Sequence, residues 1–452
     1  MTTLALKGAD AQRMLGALAD TDETGWVLAA RRVEQADLLL GRSLTDVPDA
    51  AYLEREPRRL TIASTGFVPA FSAARHDDAL PIFVHTHPGG RPEPSEVDHS
   101  VDRLLRDHAR ERDLPGYASL VVAGTPRAPS VCGRLWLGEQ PMRPITRLRV
   151  AGNEFRVLLA DDDSHEPAPL FDRQVRAFSA AGQRLLGALR IGVVGAGGTG
   201  SPTIEQLARL GVGQIVVVDD DVVDDTNLTR IHESTTDDVG TPKAELACRR
   251  ARSYGTGTTP TAVHATVASI NGFKALTGCD VVFGCTDDNA GRLVLNRLAY
   301  RYLIPVIDCG AVVSPDDKSG TVRDVCGRVT LIAPGEPCLL CRGQVDAQLA
   351  GEEMLDPETR RARAGEGYAQ GAQGPAPAVV AFTTGVSALA VNEMLGRLLG
   401  YADSTSSNLL VRFSAQTISR GGRGAVEGHM CVNPAEWALG DTDPPLGISG
   451  LK

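Results

Sequence analysis

The segment Ile191-Gly-Val-Val-Gly195-Ala-Gly197-Gly198-Thr-Gly200-Ser201 constrains the folding of this 452-residue chain more than any other. A short apolar run leads into clustered glycines and then into residues 201–210, whose pattern reads as a helix. Glycine permits the tight turn and lets the backbone approach a phosphate, while the helix start attracts an anion. The next apolar run, 214–219, ends in Asp219, a carboxylate able to accept a ribose hydroxyl. A strand pattern at 280–283, a helix pattern at 291–302 and a strand pattern at 305–308 continue the rhythm. This beat predicts a Rossmann-like, doubly wound, mostly parallel sheet covered by helices. Taken alone, the glycine loop would serve NAD as readily as ATP.

The texture before Phe171 is different. Strand patterns at 25–30, 60–64, 82–87, 118–123 and 130–137 mix with helix patterns at 9–18 and 96–109. Two textures in a chain this long predict at least two domains, both α/β. We place one over 1–156, a linker over 157–170 around the acidic, proline-containing stretch 161–169, and a second domain over 171–452. Residues 351–377 have little apolar pattern and predict a long crossover loop spanning about 344–378, before a helix at 379–399 and a strand at 409–413.

Composition removes several classes of function. A net charge of −10 argues against nucleic acid or an anionic membrane as the main partner. No run of 18 apolar residues predicts a membrane span, and the N-terminus lacks a basic region followed by an apolar core. The odd count of nine cysteines, several within apolar runs, fits a reduced cytoplasmic protein rather than a disulfide framework. Lysine is scarce, so a lysine at a motif position is less easily a coincidence.

His85-Thr-His87 closes the apolar run at 81–84, and a strand there would point both imidazoles to one face. A turn rich in proline and glycine follows, then Ser95-Glu-Val-Asp98 at a helix start. Two histidines and one acid can hold a metal while leaving a position open, the catalytic arrangement for zinc. The pattern H-x-H, seven residues, Ser, two residues, Asp resembles the JAMM (JAB/MPN) metalloprotease family. The resemblance implies a JAB/MPN mixed-sheet domain, catalytic Zn²⁺ on His85, His87 and Asp98, and Ser95 beside the reacting group. It also implies a glutamate general base on an early strand. Glu23, just before the apolar run at 25–30, fits that place, with Glu34 as the competitor past the run. The implied reaction is hydrolysis of a peptide or isopeptide bond after the C-terminal glycine of a ubiquitin-like protein.

Five motifs around the glycine loop resemble the ubiquitin-activating-type adenylyltransferases that include the ThiF and MoeB enzymes. They are Phe171-Asp-Arg173-Gln174 with Gly182-Gln183, the glycine loop, Asp219-Asp-Asp221 leading to Asn227-Leu-Thr-Arg230, Lys243, and Cys285-Thr-Asp287-Asp288-Asn289. That last motif carries one Asp more than the family's C-T-D-N. The resemblance implies ATP held by Gly195, Gly197, Gly198, Gly200, Asp219 and Asp221, with Arg230 and Lys243 on the phosphates and Asn227 supporting them. It further implies Mg²⁺ oriented by Asp287. Arg173 would be an arginine finger crossing a homodimer interface.

Cys338-Leu-Leu-Cys341 resembles half of that family's structural zinc site, whose second CxxC is missing. A Cys/Cys/His/Cys set completed by His429 and Cys431 and a pair of reduced core cysteines both remain open. Residues 342–430 contain no cysteine, so the activating half is expected to stop at the acyl-adenylate. That product would pass to sulfide, an amine or a separate conjugating enzyme. The combined expectation is a bifunctional enzyme whose halves share one partner, a small ubiquitin-like or sulfur-carrier protein ending in glycine. The alternatives are a peptide-modifying adenylyltransferase, a scaffold that binds a ubiquitin-like protein and, ranked last, a nicotinamide-dependent dehydrogenase.

Overall fold

Alternating apolar strands organise both halves of the chain in a computed structural model that describes residues 2–160, 166–316, 321–355, 359, 377–402, 406–449 and 451. The chain divides into two compact units. The first comprises Met1–His165, Arg301–Leu303 and Glu436–Asp441, and the second holds the remainder. Among the described residues, no helix is long and apolar enough to cross a membrane.

The first unit contains β1 (Thr2–Lys7), α1 (Gly8–Gly16), β2 (Gly25–Val33), β3 (Leu38–Asp46), β4 (Tyr52–Glu56), β5 (Arg59–Ile62), α2 (Val68–His76), β6 (Leu80–Pro88) and α3 (Glu96–Glu111). It continues with β7 (Tyr117–Thr125), β8 (Ala128–Trp136), β9 (Arg143–Ala151) and β10 (Arg156–Leu159). The main sheet runs β1-β3-β2-β6-β7-β8-β9-β10, and β1 also pairs in parallel with β9, which closes it into a barrel-like form. Alternation sorts the side chains to two faces. Leu28, Ile82, Val84 and Leu120 join Met14 and Leu15 of α1 in one core. Val27, Phe83 and Tyr117 join Phe71 of α2 and Leu105 of α3 in another. Each fully buried side chain of this size contributes about 1.5–3 kcal/mol.

The strand expected at 60–64 is the short β5, which pairs with β4 in a separate two-stranded hairpin. Residues 157–159, expected in the linker, pair with β9 as part of β10. Val157 is buried there, which gives that segment a reason to join the sheet.

The second unit contains α4 (Asp172–Ala188), β11 (Arg190–Val194), α5 (Gly200–Arg209), β12 (Gln214–Val218), α6 (Lys243–Ser253), β13 (Thr259–Val263), α7 (Ile270–Lys274), β14 (Val281–Gly284) and α8 (Asn289–Arg301). Then come β15 (Val306–Asp316), β16 (Thr321–Ile332), α9 (Ala347–Glu353), α10 (Val380–Leu398), β17 (Asn408–Arg412) and β18 (Thr417–Arg420). The sheet order is β13-β12-β11-β14-β15-β16-β17-β18. Strands β13 to β15 are parallel, as expected, with the order reversing between β11 and β14. Strands β15 to β18 are antiparallel, so the sheet is less parallel than the sequence predicts. Only residues 317–320 separate β15 from β16, too few for the dozen or so that a parallel crossover needs. Within the expected crossover at 344–378, α9 is helical, and residues 356–358 and 360–376 lie outside the described residues.

Candidate functional site

Strand β6 carries His85 and His87 on the face that Phe83 shares with α2 and α3. The His85 ring stacks on Phe83 with centroids 5.5 Å apart, which fixes its plane. Ser95 caps α3, accepting from the Asp98 backbone N–H at 3.2 Å, while its own N–H and hydroxyl donate to Asp98 Oδ2 at 2.6 and 2.7 Å. This capping box turns Asp98 toward the strand. Asp98 Oδ1 lies 3.1 Å from His85 Nε2, and Oδ2 lies 3.7 Å from His87 Nε2. Glu23, 6% exposed in the segment before β2, places Oε1 3.7 Å from His87 Nε2. Glu34 sits elsewhere, with a side chain 77% exposed and paired to Arg32.

The donor set fits a zinc ion. His85, His87 and Asp98 each present one ligand atom, all within 4.8 Å of one another. His87 Nδ1 donates to the Arg91 carbonyl at 3.2 Å, leaving the Nε2 lone pair turned into the cluster. His85 Nε2 and His87 Nε2 are 3.1 Å apart, a spacing that suits a shared cation. Burial and the neighbouring His85 push His87 below the usual imidazole range, which favours its neutral, ligating form. Burial alone would raise the Asp98 carboxyl, but bonds from His85 and Ser95 hold it far below the usual carboxylate range. Burial pushes Glu23 up to about 7, with His85 pulling against the rise and Asp98 adding to it. The cluster borders an open cavity of about 430 Å³. Arg58, Arg59, Gly89, Gly90 and Arg91 are among its lining residues.

In the second unit, the glycine loop follows β11 where the strand order reverses, the usual crevice for a ligand in an open α/β sheet. Gly195 has φ +87°, and a Cβ there would meet the Cys285 carbonyl at 2.8 Å. A Cβ on Gly200 would meet the Gly195 carbonyl at 1.8 Å. Gly197 faces open space, so the backbone can be approached there. Asp219 is 9% exposed and accepts from the Ala196 and Asp221 backbone N–H groups at 2.6 and 2.8 Å. It therefore clasps the loop itself. Asp221, more exposed, pairs with Lys243 Nζ at 2.7 Å. Arg230 Nη1 donates to the Thr226 carbonyl at 2.9 Å, and its Cδ lies 3.4 Å from where a Gly198 Cβ would sit. Asn227 is buried and donates Nδ2 to Asp224 Oδ1 at 2.9 Å, a structural brace for that turn.

The additional aspartate in the Cys285-Thr-Asp287-Asp288-Asn289 segment has a structural explanation. Asp288 Oδ2 accepts from the Gly291 backbone N–H at 2.8 Å at the start of α8, while Asp287 remains exposed. Arg173 is exposed in the first turn of α4. Cys285 and Cys309 are buried, with their sulfurs 3.6 Å apart.

Cys338 and Cys341 meet His429 and Cys431 in a second cluster, this one of four donors. His429 Nδ1 lies 3.3, 3.4 and 3.5 Å from the sulfurs of Cys338, Cys341 and Cys431. A hydrogen bond from Cys431, against burial, pushes the Cys338 thiol down to about 5, and the same bond pushes Cys431 up. Three thiols and one imidazole at these separations suit tetrahedral zinc. The sequence pattern mentions His429 and Cys431 without selecting them, because two ligands two positions apart need a turn. The chain supplies one, with the His429 N–H bonded to Val426 O and the Val432 N–H to His429 O.

The ThiF family model matches residues 171–426. Over 160 residues the chain is 38% identical to a SAMP-activating enzyme E1 of Haloferax volcanii, covering 35% of this chain and 55% of that protein. Over 164 residues it is 33% identical to a sulfur carrier protein ThiS adenylyltransferase of Bacillus subtilis, covering 36% of this chain and 46% of that protein. The chain thus spans about half the length of these curated relatives. The crystal structure of E. coli MccB is similar with a TM-score of 0.45 at 18% identity, over 60% of this chain and 74% of that one. With the glycine loop, Asp219, Arg230 and Lys243 all inside the matched stretch, the chain belongs to the ThiF family.

Proposed function

We propose that the second unit adenylates the C-terminal carboxylate of a small ubiquitin-like or sulfur-carrier protein ending in glycine. The observation that carries this reading is the glycine loop at the strand-order reversal, flanked by Arg230, Lys243 and the exposed Asp287. A carboxylate oxygen of the carrier attacks the α-phosphorus of ATP, the bond to the β-phosphate oxygen breaks, and pyrophosphate leaves. Negative charge builds on the triphosphate, and Arg230 and Lys243 offset it. Asp287, exposed beside the loop, would hold Mg²⁺, which would supply charge to offset the phosphates. Lys243 must leave its pairing with Asp221 to reach a phosphate, and Asp221 then becomes available to a ribose hydroxyl. Arg173 acts as a finger supplied by a second copy of the chain. The names of the relatives, a SAMP-activating enzyme E1 and a ThiS adenylyltransferase, support the carrier as substrate. Buried Cys285 and Cys309 and the cysteine-free stretch 342–430 favour an adenylate as the end product, released to another acceptor or enzyme.

The first unit, in the same reading, is a zinc peptidase of JAMM type that cuts after the carrier's terminal glycine. His85, His87 and Asp98 would hold a zinc ion, which would supply Lewis-acid polarisation of the scissile carbonyl. Glu23 takes and returns a proton at Oε1, and Ser95 orients Asp98. Gly89, where a Cβ would meet nothing, leaves room for an extended tail at the cavity wall.

Mass spectrometry of candidate Gly-Gly-terminated proteins incubated with the full chain and MgATP tests the first half. The carrier should gain AMP with the wild type and none with Lys243→Ala. Adenylation of short peptides but of no carrier protein would move the reading to peptide maturation. No adenylate on either substrate class would remove it.

A further inference from the structure

His232 stands at a polar hub that no step above uses. Its ring bridges two helices of the second unit. Nδ1 lies 3.0 Å from Glu205 Oε2 on α5, and Nε2 lies 2.9 Å from Thr384 Oγ1 in the first turns of α10. A carboxylate only accepts, so Nδ1 carries the proton toward Glu205, and Nε2 shares the second bond with the Thr384 hydroxyl. The backbone N–H of His232 donates to Ser201 Oγ at 3.0 Å, and the Ser201 hydroxyl donates to the Gly197 carbonyl at 2.8 Å. One residue thereby ties the glycine loop to α5 and α10. Thr203 with Ser387 at 2.7 Å and Gln206 with Ser387 at 3.1 Å join the same two helices one turn further on.

Arg230 precedes this hub by two residues. Its Cδ and the Cγ2 of Thr383, the neighbour of Thr384, each lie 3.4 Å from the position a Gly198 Cβ would take. The stem of Arg230 and the start of α10 therefore converge on the side of Gly198 where a Cβ would lie. Side chains of His232 and Glu205 are 24% and 22% exposed, so these bonds are largely shielded from competing water.

We infer that His232 is a positioning residue, and that the Glu205–His232–Thr384 relay holds Arg230 over the glycine loop to meet the nucleotide's triphosphate. The inference rests on the adenylation reading and adds a residue to it. Without the relay, the segment carrying Arg230 loses its side-chain ties to Glu205 and Thr384, and keeps the backbone bond to Ser201 and the Glu233–Arg209 pair. Triphosphate binding then weakens while the nucleoside end of the pocket, where Asp221 meets the ribose, is left as it was.

Isothermal titration of the full chain with MgATP and, separately, with AMP provides the test. His232→Ala and Thr384→Val should each weaken MgATP by about tenfold and leave AMP unchanged. Arg230→Ala should do the same. The double variant should be no weaker than either single, because both break one relay. Thr384→Ser keeps the hydroxyl and should restore the wild-type ratio of the two affinities. An unchanged ratio in His232→Ala and Thr384→Val overturns the inference, as does an equal loss for MgATP and AMP. A wild-type chain that binds neither nucleotide removes the adenylation reading, and this inference with it.

Discussion

Glu23 and Glu34 are both single glutamates near an apolar strand, and only their surroundings separate them. Glu23 is enclosed beside His87, whereas Glu34 is exposed and bonded to Arg32. A general base must reach the proton it moves, so geometry precedes acidity in the choice. Glu23→Gln keeps the shape and removes the proton acceptor. Zinc content of that variant should match the wild type, while cleavage of a Gly-terminated fusion should fall by about 10²- to 10⁴-fold. Cleavage at the wild-type rate would exclude Glu23 as the base. His87→Ala, by contrast, should lose zinc and cleavage together. At this scale the sequence already marked His85, His87 and Asp98 as neighbours, because H-x-H on a strand and Ser-x-x-Asp at a helix start each dictate direction locally. It left Glu23 and Glu34 as alternatives, since the place of the segment before β2 depends on its neighbours.

The elements show why short motifs were legible where long-range pairings were not. Strand β6 and helix α3 follow from alternation and from a capping box, both written within a few residues. Strands β1, β3 and β9 carry weaker local signals and acquire their place through each other, β1 pairing with both. Gly195 illustrates a tight local demand. With φ +87° and a neighbouring carbonyl 2.8 Å from any Cβ, Gly195→Ala should cost about 1–3 kcal/mol, read as a lower urea midpoint. Gly197→Ala, which meets open space, should leave stability nearly unchanged and thus serves as the comparison. Equal midpoints for the two variants would contradict the steric argument.

Contacts between distant segments of one unit govern the behaviour of the whole molecule. Glu393 on α10 is bound by Arg397 at 2.6 Å and by Arg420 on β18 at 3.0 Å. Burial would raise its carboxyl, yet the Arg420 hydrogen bond and the Arg397 charge hold it below the usual range. A depressed folded value means that the carboxylate stabilises the fold above the unfolded pKa of ~4.3 and that this contribution fades as pH falls below it. Urea midpoints should therefore separate wild type from Glu393→Gln at pH 7 and converge toward pH 3. A constant gap would assign the loss to packing instead. The Cys338, Cys341, His429 and Cys431 cluster is the second long-range tie. With the histidine cluster, it leads us to expect two zinc ions per chain by elemental analysis. Cys338→Ser with Cys341→Ser should remove one of them and lower the thermal midpoint. Unchanged stoichiometry would mean those cysteines are only packed thiols.

The sequence by itself determined the local machinery: the glycine loop, the H-x-H strand, the capped Asp98 and the CxxC pair. Each depends on backbone periodicity, glycine freedom or hydrogen bonds between residues a few positions apart. Tertiary structure alone decided the rest. It enclosed Glu23 beside His87, brought His429 and Cys431 to a CxxC some ninety residues earlier, assigned Asp288 to a helix cap, and set β15 to β18 antiparallel. Those outcomes depend on burial and on contacts between segments far apart in the chain, and no local pattern encodes a distance between them.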